Sequence, residues 1–183
     1  GSWSPDTRFV APLRASPRAA IDGRSIAAGV RAYIRRGVPR SKLVLGVPFF
    51  GLAYADVAPG TRGDGLGQPF HGMVAGPGIE TGSGRVPYRV LVERWAGVGV
   101  RHDAAAEQAW RYDAAARETV VYDDPATLRR KMAWVRAARL RGAMMWEIAQ
   151  DTPRGDLIAA LADGLGVHPA TRGATLAARP PAQ

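Results

Sequence analysis

The 183-residue chain is 46% hydrophobic and 22% charged, which suits one soluble globular unit. It has no cysteine, so disulfides, thiol catalysis and cysteine-ligated zinc are excluded. No run of roughly 18 apolar residues occurs, so no membrane helix is expected. The formal charge of +9 invites acidic polymers, but the arginines are scattered and no basic run is interleaved with aromatics, which argues against nucleic acid. Only Lys42 and Lys131 among the 25 basic residues are lysines. Gly1-Ser2-Trp3-Ser4-Pro5 has neither a charged start nor an apolar core, so no signal peptide is expected.

Residues 1–20 are rich in Pro, Ser and Arg and read as loop. Ile26, Ala27, Val30, Tyr33 and Ile34 recur at helical spacing, which predicts a helix over 25–36, ended by Gly37 and Pro39. Lys42 to Gly51 is a short apolar run bounded by turn signals and predicts a buried strand. Residues 52–85 are dense in Gly and predict a long loop or a small β-rich excursion. Tyr88 to Trp95 suits a short helix. Ala109–Asp113 and Thr119–Tyr122 alternate around a polar turn and predict a hairpin, with Trp110 and Tyr112 in its core. Asp124 as N-cap and Pro125 at the first position open a helix whose apolar face includes Leu128, Met132, Val135 and Leu140. Thr152-Pro153-Arg154-Gly155 turns into a last helix, 156–165. Residues 167–183 lack apolar periodicity and read as a disordered tail.

Gly142-Ala143-Met144-Met145-Trp146-Glu147 carries the most information. A small residue, an apolar run and then Trp-Glu predict a buried strand that ends in a functional rim, as strands of parallel barrels do. Trp146 offers a flat apolar face that suits a sugar ring, or else it is a packed core aromatic. The pattern is two crossover units interrupted by roughly 70 residues. Two strands so connected cannot close a barrel or bury both faces, so a further segment or a partner must complete them.

These residues resemble glycoside hydrolase family 18, the chitinase family. Gly37 through Gly51 resembles its seventh barrel strand and the approach to it. Gly65-Leu66-Gly67-Gln68-Pro69 and Tyr88-Arg89-Val90-Leu91 resemble its α+β insertion domain. Tyr122-Asp123-Asp124-Pro125 through Lys131 resembles the end of that insertion, and Gly142–Glu147 with Asp151 its eighth strand. Gly1-Ser2-Trp3 and Ala11-Pro12-Leu13 fit the loop after the sixth strand. The resemblance implies an α/β fold: the C-terminal part of a (β/α)8 TIM barrel, about its last two strand-helix units. Partial barrel would occupy 1–51 and 123–166, with the insertion domain at 52–122.

The resemblance also implies a secreted hydrolase of β-1,4-linked N-acetylglucosamine polymers that works by substrate-assisted retention. The general acid of that family ends an Asp-x-x-Asp-x-Asp-x-Glu motif, which this sequence lacks. The chain alone is therefore expected to be inactive and to need the other barrel half. Catalytic residues, metal and cofactor are expected to be none. Substrate-binding candidates are Trp146, Trp3, Tyr54, Arg101 and the rim residue Glu147. Phe50-Gly51-Leu52 departs from the frequent Tyr-Gly-Arg of the family and removes a hydroxyl and a guanidinium from under the cleft. His71 and His102 lack metal-ligand spacing and read as loop residues. The alternatives are a non-catalytic chitin- or glycan-binding module and a cell-wall or spore-cortex N-acetylglucosaminidase.

Overall fold

The computed structural model describes residues 4–19 and 24–167. The candidate Trp3 and residues 168–183 of the expected tail lie outside the described residues. Ser25 opens α1 (Ile26–Arg35); its side-chain oxygen accepts from the Ala28 N–H at 3.3 Å and satisfies a donor the helix start would otherwise orphan. Ala27 is buried, whereas Tyr33, expected on the apolar face, is 58% exposed.

The single strand expected over 42–51 is two strands in two sheets. β1 (Val44–Pro48) ends at a proline, which has no N–H for a ladder, and β2 (Phe50–Tyr54) starts two residues later. Phe49 makes the turn between them. Its N–H donates to the Trp146 carbonyl at 2.8 Å and its carbonyl accepts from the Tyr88 N–H at 3.0 Å. β2 joins β3 (Arg85–Pro87), β4 (Arg101–Asp103), β5 (Gln108–Asp113) and β6 (Glu118–Tyr122) in an antiparallel sheet of order β3-β2-β6-β5-β4. α2 (Tyr88–Arg94) follows β3 directly. β5 and β6 form the expected hairpin, in register from Ala109↔Tyr122 to Asp113↔Glu118. His102 lies on β4 rather than in a loop.

Both faces of this sheet are buried at its centre, and alternation sorts the central residues between two cores. Ala53, Val86, Val120 and Tyr122 share one core with α2, α3 (Pro125–Ala137), β7 (Gly142–Trp146) and α4 (Asp156–Leu165). Leu52, Tyr54, Trp110, Tyr112 and Val121 share the other with Phe9, Val57 and Leu66 from flanking loops. Gly65 packs against this second core at φ 63°, where a Cβ would lie 2.3 Å from the Tyr112 ring. Only glycine fits both the backbone and the space.

β7 pairs with β1 in parallel, from Val44↔Gly142 to Pro48↔Trp146. The expectation that it is a buried strand fails for one face. Leu45, Val47, Ala143 and Met145 pack toward α3 and α4, but Val44, Met144 and Trp146 are 52%, 50% and 61% exposed. A strand in a two-stranded sheet can be covered on its helix side alone. Beyond it, Asp151 accepts N–H bonds from Thr152, Leu157 and Ile158 at 2.7–3.1 Å and so ties the closing turn to α4.

α3 begins as its sequence predicts. Asp124 and Thr127 form a reciprocal capping box, with Pro125 in the first turn. Asp124 also meets His102 Nε2 at 2.6 Å. Burial works to raise its pKa, but the bonds from the Thr127 N–H and from His102 outweigh it and hold the carboxyl below the ordinary 3.8. A depressed carboxylate stabilises the fold above its unfolded pKa, and that contribution is lost as pH falls through the folded value. Asp124→Ala is therefore expected to cost about 1–2 kcal/mol near neutral pH, and less in acid. Urea unfolding of both proteins at neutral and strongly acidic pH checks this; a deficit that grows in acid would contradict it.

Candidate functional site

The exposed face of the parallel pair is one wall of an open pocket of about 420 Å³. Gly46, Val47, Pro48, Met144 and Trp146 line it from β1 and β7, and Phe50 and Arg85 from β2 and β3. Its size lies within the range typical of ligand pockets, about 300–1,000 Å³. Trp146 stands at the C-terminal end of β7 with its indole exposed, beside Pro48 at the end of β1. Parallel strands deliver functional side chains at that end. The Trp146–Glu147 peptide bond is cis.

The candidate residues separate clearly. Trp146 lines the pocket. Glu147 is exposed, caps the short 3-10 turn Ile148–Gln150 and does not line the pocket. Tyr54, a sugar-binding candidate from sequence, belongs instead to the second core. It is fully buried against Phe70, its hydroxyl donates to the Arg8 carbonyl at 3.4 Å, and burial pushes its phenol up to about 12. Arg101 does not line this pocket either. It sits on β4, the edge of the five-stranded sheet opposite β3, and reaches toward the Gly63 carbonyl. Four strand spacings, roughly 19 Å, separate the two edges.

Sequence reasoning missed Arg85. It stands in register opposite Leu52, so a guanidinium reaches this wall from the neighbouring strand although position 52 holds none. Its guanidinium lies 5.2 Å from the centre of the Phe50 ring. Sequence reasoning also missed a buried ionic network behind the sheet. Asp123 accepts from Lys131 Nζ at 2.6 Å, Gln108 Nε2 at 2.7 Å and Thr127 Oγ1 at 3.2 Å. Lys131 also donates to the Ala11 carbonyl at 2.7 Å, and Gln108 Oε1 accepts from the Val10 and Ala11 N–H groups. The available signal was compositional: one of only two lysines falls on the apolar face of a helix.

Among the described residues no group of three or more His, Cys, Asp or Glu side chains could hold a metal ion, and no helix is long and apolar enough to cross a membrane. A polar hollow of about 310 Å³ lies near Arg8, Arg18 and Arg62, where Asp64 engages the latter two.

Parallel strands that end in an exposed tryptophan, beside an inserted antiparallel sheet that supplies the facing wall, define an α/β protein with the form of a ligand-holding site. Comparison with known proteins narrows the class. The family described as Glycosyl hydrolases family 18 matches residues 1–151. Chitinase 1 of Aphanocladium album is 31% identical over 174 residues, which are 94% of this chain and 38% of that protein. Catalytic domain 2 of the Ostrinia furnacalis Group II chitinase superposes with a TM-score of 0.80 at 29% identity, over 93% of this chain and 46% of that one. A mutant class V chitinase of Nicotiana tobaccum in complex with NAG4 superposes at 0.77 and 27% identity, over 90% and 45%. This chain belongs to glycosyl hydrolase family 18, whose chitinases share a TIM-barrel-type α/β fold. It spans 37–38% of the length of the first two curated relatives that it matches.

Proposed function

We propose that these residues are the C-terminal part of a chitinase-type catalytic domain that hydrolyses β-1,4-linked N-acetylglucosamine polymers. In this reading β1 and β7 are the last two strands of a (β/α)8 barrel, and β2 to β6 with α2 are its insertion domain. The observation that carries the reading is the exposed Trp146 indole at the strand end, inside a pocket walled by the inserted sheet. A pyranose ring has a face of C–H groups that an indole can cover, while polar groups at the pocket edge fix its orientation.

Substrate-assisted retention needs a proton donor at the glycosidic oxygen and a positioned N-acetyl group. Within these 183 residues the Asp-x-x-Asp-x-Asp-x-Glu motif is absent. Glu147 is a poor substitute, because it lies outside the pocket lining and caps a turn. The donor then comes from a segment other than these residues, packed on the open face of β1 and β7. Met144 and Val44, half exposed on that face, are apolar surface of the kind such packing would cover.

The test is an oligosaccharide assay on the purified 183-residue chain. Tetra- and penta-N-acetylglucosamine are expected to perturb tryptophan fluorescence weakly and to remain uncleaved after prolonged incubation. Cleavage products would overturn the assignment of the proton donor to another segment. Absence of any binding would overturn the sugar pocket itself.

A further inference from the structure

The arginines scattered along the sequence gather at one end of the fold. Two stretches, 24–55 and 125–146, contain no Asp or Glu and carry six basic residues each. They hold α1 with β1 and α3 with β7, and the parallel register of β1 and β7 sets the N-terminal ends of both strands side by side. The contacts there are direct. The Arg141 N–H donates to the Leu43 carbonyl at 2.9 Å, and Arg40 Nη1 donates to the Ala138 carbonyl at 3.1 Å. A Cβ on Gly166, the C-cap of α4, would lie 2.8 Å from Arg136 Nη1, so α4 ends at the same pole. Arg36, Arg40, Lys42, Arg136, Arg139 and Arg141 are all exposed here, and among the described residues none of them forms an ion pair. Cations at helix C-termini complement the macrodipole, and Arg36 and Arg136 are enough for α1 and α3. Lys42, Arg139 and Arg141 lie beyond both helices and add charge that the helices do not require.

We propose that this pole is a second binding surface, and that its ligand is an acidic polysaccharide, a linear chain carrying carboxylates together with hydroxyl groups. Two kinds of group converge on it. Guanidinium forks match the paired oxygens of a carboxylate. Helix C-termini add carbonyls that have no intrahelical donor. That of Arg35 has Pro39 at the fourth position after it, and proline has no N–H to give. A ligand that fits both must accept at the arginines and donate at the carbonyls. An acidic sugar chain does so with its carboxylates and its hydroxyls. A DNA backbone brings acceptors alone, and its phosphates are suited to the N–H groups of helix N-termini rather than to C-terminal carbonyls. The pole stands at the other end of β7 from Trp146, four residue rises or about 13 Å along the strand, so a polymer held here leaves the pocket open.

Three oligomers of equal charge number test this on the 183-residue chain: oligogalacturonate, an acrylate oligomer and single-stranded DNA. Oligogalacturonate is expected to bind about fivefold or more tighter than the other two near physiological salt, since it alone satisfies the carbonyls. Its affinity should fall about tenfold or more between about 50 and 200 mM salt. Lys42→Gln, Arg139→Gln and Arg141→Gln together should weaken it about tenfold or more and flatten the salt dependence. Arg89→Gln, Arg117→Gln and Arg154→Gln together remove the same charge from exposed positions outside the pole. They should change affinity by less than about threefold, because charges farther away than a Debye length are screened. Amide NMR shifts on titration are expected at 36–43 and 137–142.

Equal loss in the two triple variants reduces the effect to net charge and overturns the proposal. An acrylate oligomer or an oligonucleotide that binds as tightly as oligogalacturonate also overturns it, since hydroxyl recognition then plays no part. Should the pole variant fail to fold, the shift map of the unsubstituted chain decides alone. Shifts confined to 36–43 and 137–142 support the surface, and shifts centred on β2 to β6 or spread over the whole chain refute it. The sugar pocket at Trp146 stands or falls separately, on its own titrations with N-acetylglucosamine oligomers.

Discussion

Lys131→Met is expected to lower the free energy of unfolding by about 3–5 kcal/mol, the range for removing one partner of a buried ion pair. Lys131 and Asp123 are both fully buried, 2.6 Å apart. Burial pushes the Asp123 carboxyl up and the Lys131 ammonium down, each toward its neutral form, and mutual attraction opposes both shifts. Without the lysine, the carboxylate keeps only the neutral donors Gln108 and Thr127, and protonation becomes the cheaper state. The folded state then binds a proton that the unfolded chain has released above the ordinary 3.8. Stability of the variant therefore falls as pH rises through the window above 3.8, so its deficit is larger at neutral than at acid pH. Urea unfolding at the two pH values measures this. The double variant with Asp123→Leu should recover most of the loss, because no unpaired charge remains. The amides of Val10 and Ala11, which donate to Gln108, should exchange faster in the single variant, since Lys131 also holds the Ala11 carbonyl. A single variant within about 1 kcal/mol of the parent would show that the pair is not the unit described.

Local chemistry made most of the elements legible. Asp124-Pro125 announces α3 and the Thr152–Gly155 turn announces α4, because capping and turn preferences act over three or four residues, whereas α1 shows in its apolar spacing. The sheet switch at Phe49 was not legible. Periodicity records which residues are apolar, but a run such as Leu43–Phe50 stays apolar whether it serves one sheet or two. Gly46 and Pro48 were its only punctuation, and Pro48 alone removes a ladder donor. The exposed face of β7 was hidden for a related reason. Met144 and Met145 are equally apolar in sequence, and only the absence of a neighbouring layer exposes one and not the other. Lys131 was legible as an anomaly but not as a network, since its partners Asp123 and Ala11 come from different parts of the chain.

The candidate site shows the same division. Trp146 could be read because a strand end is a local event. The cationic wall could not, because Arg85 and Arg101 both stand in three-residue strands and differ only in their place in the strand order. Tyr54 looked free just past a strand end, yet the strand includes it, and the two-residue period puts it on the same buried face as Leu52. Pairing order is a long-range property, and short strands carry little of it in their own residues.

Trp146→Ala should weaken binding of N-acetylglucosamine oligomers by at least about 30-fold, corresponding to about 2 kcal/mol, the scale of a central tryptophan in a binding site. It should do so at almost no cost to folding. The indole is 61% exposed and contributes little to either core, so the unfolding midpoint should stay within about 0.5 kcal/mol of the parent. The two readouts together separate a ligand platform from a structural residue. A packed tryptophan would lose stability and binding in parallel, as a core truncation costing about 3–5 kcal/mol does. Trp146→Phe should recover part of the affinity, because a smaller flat ring still covers the C–H face of a sugar. Arg101→Met should leave affinity unchanged, since that residue stands at the far edge of the inserted sheet. Measured as oligomer titrations followed by fluorescence and by ligand-observed NMR, affinity that survives in Trp146→Ala would remove the tryptophan from the site and with it the main support for the sugar-pocket reading.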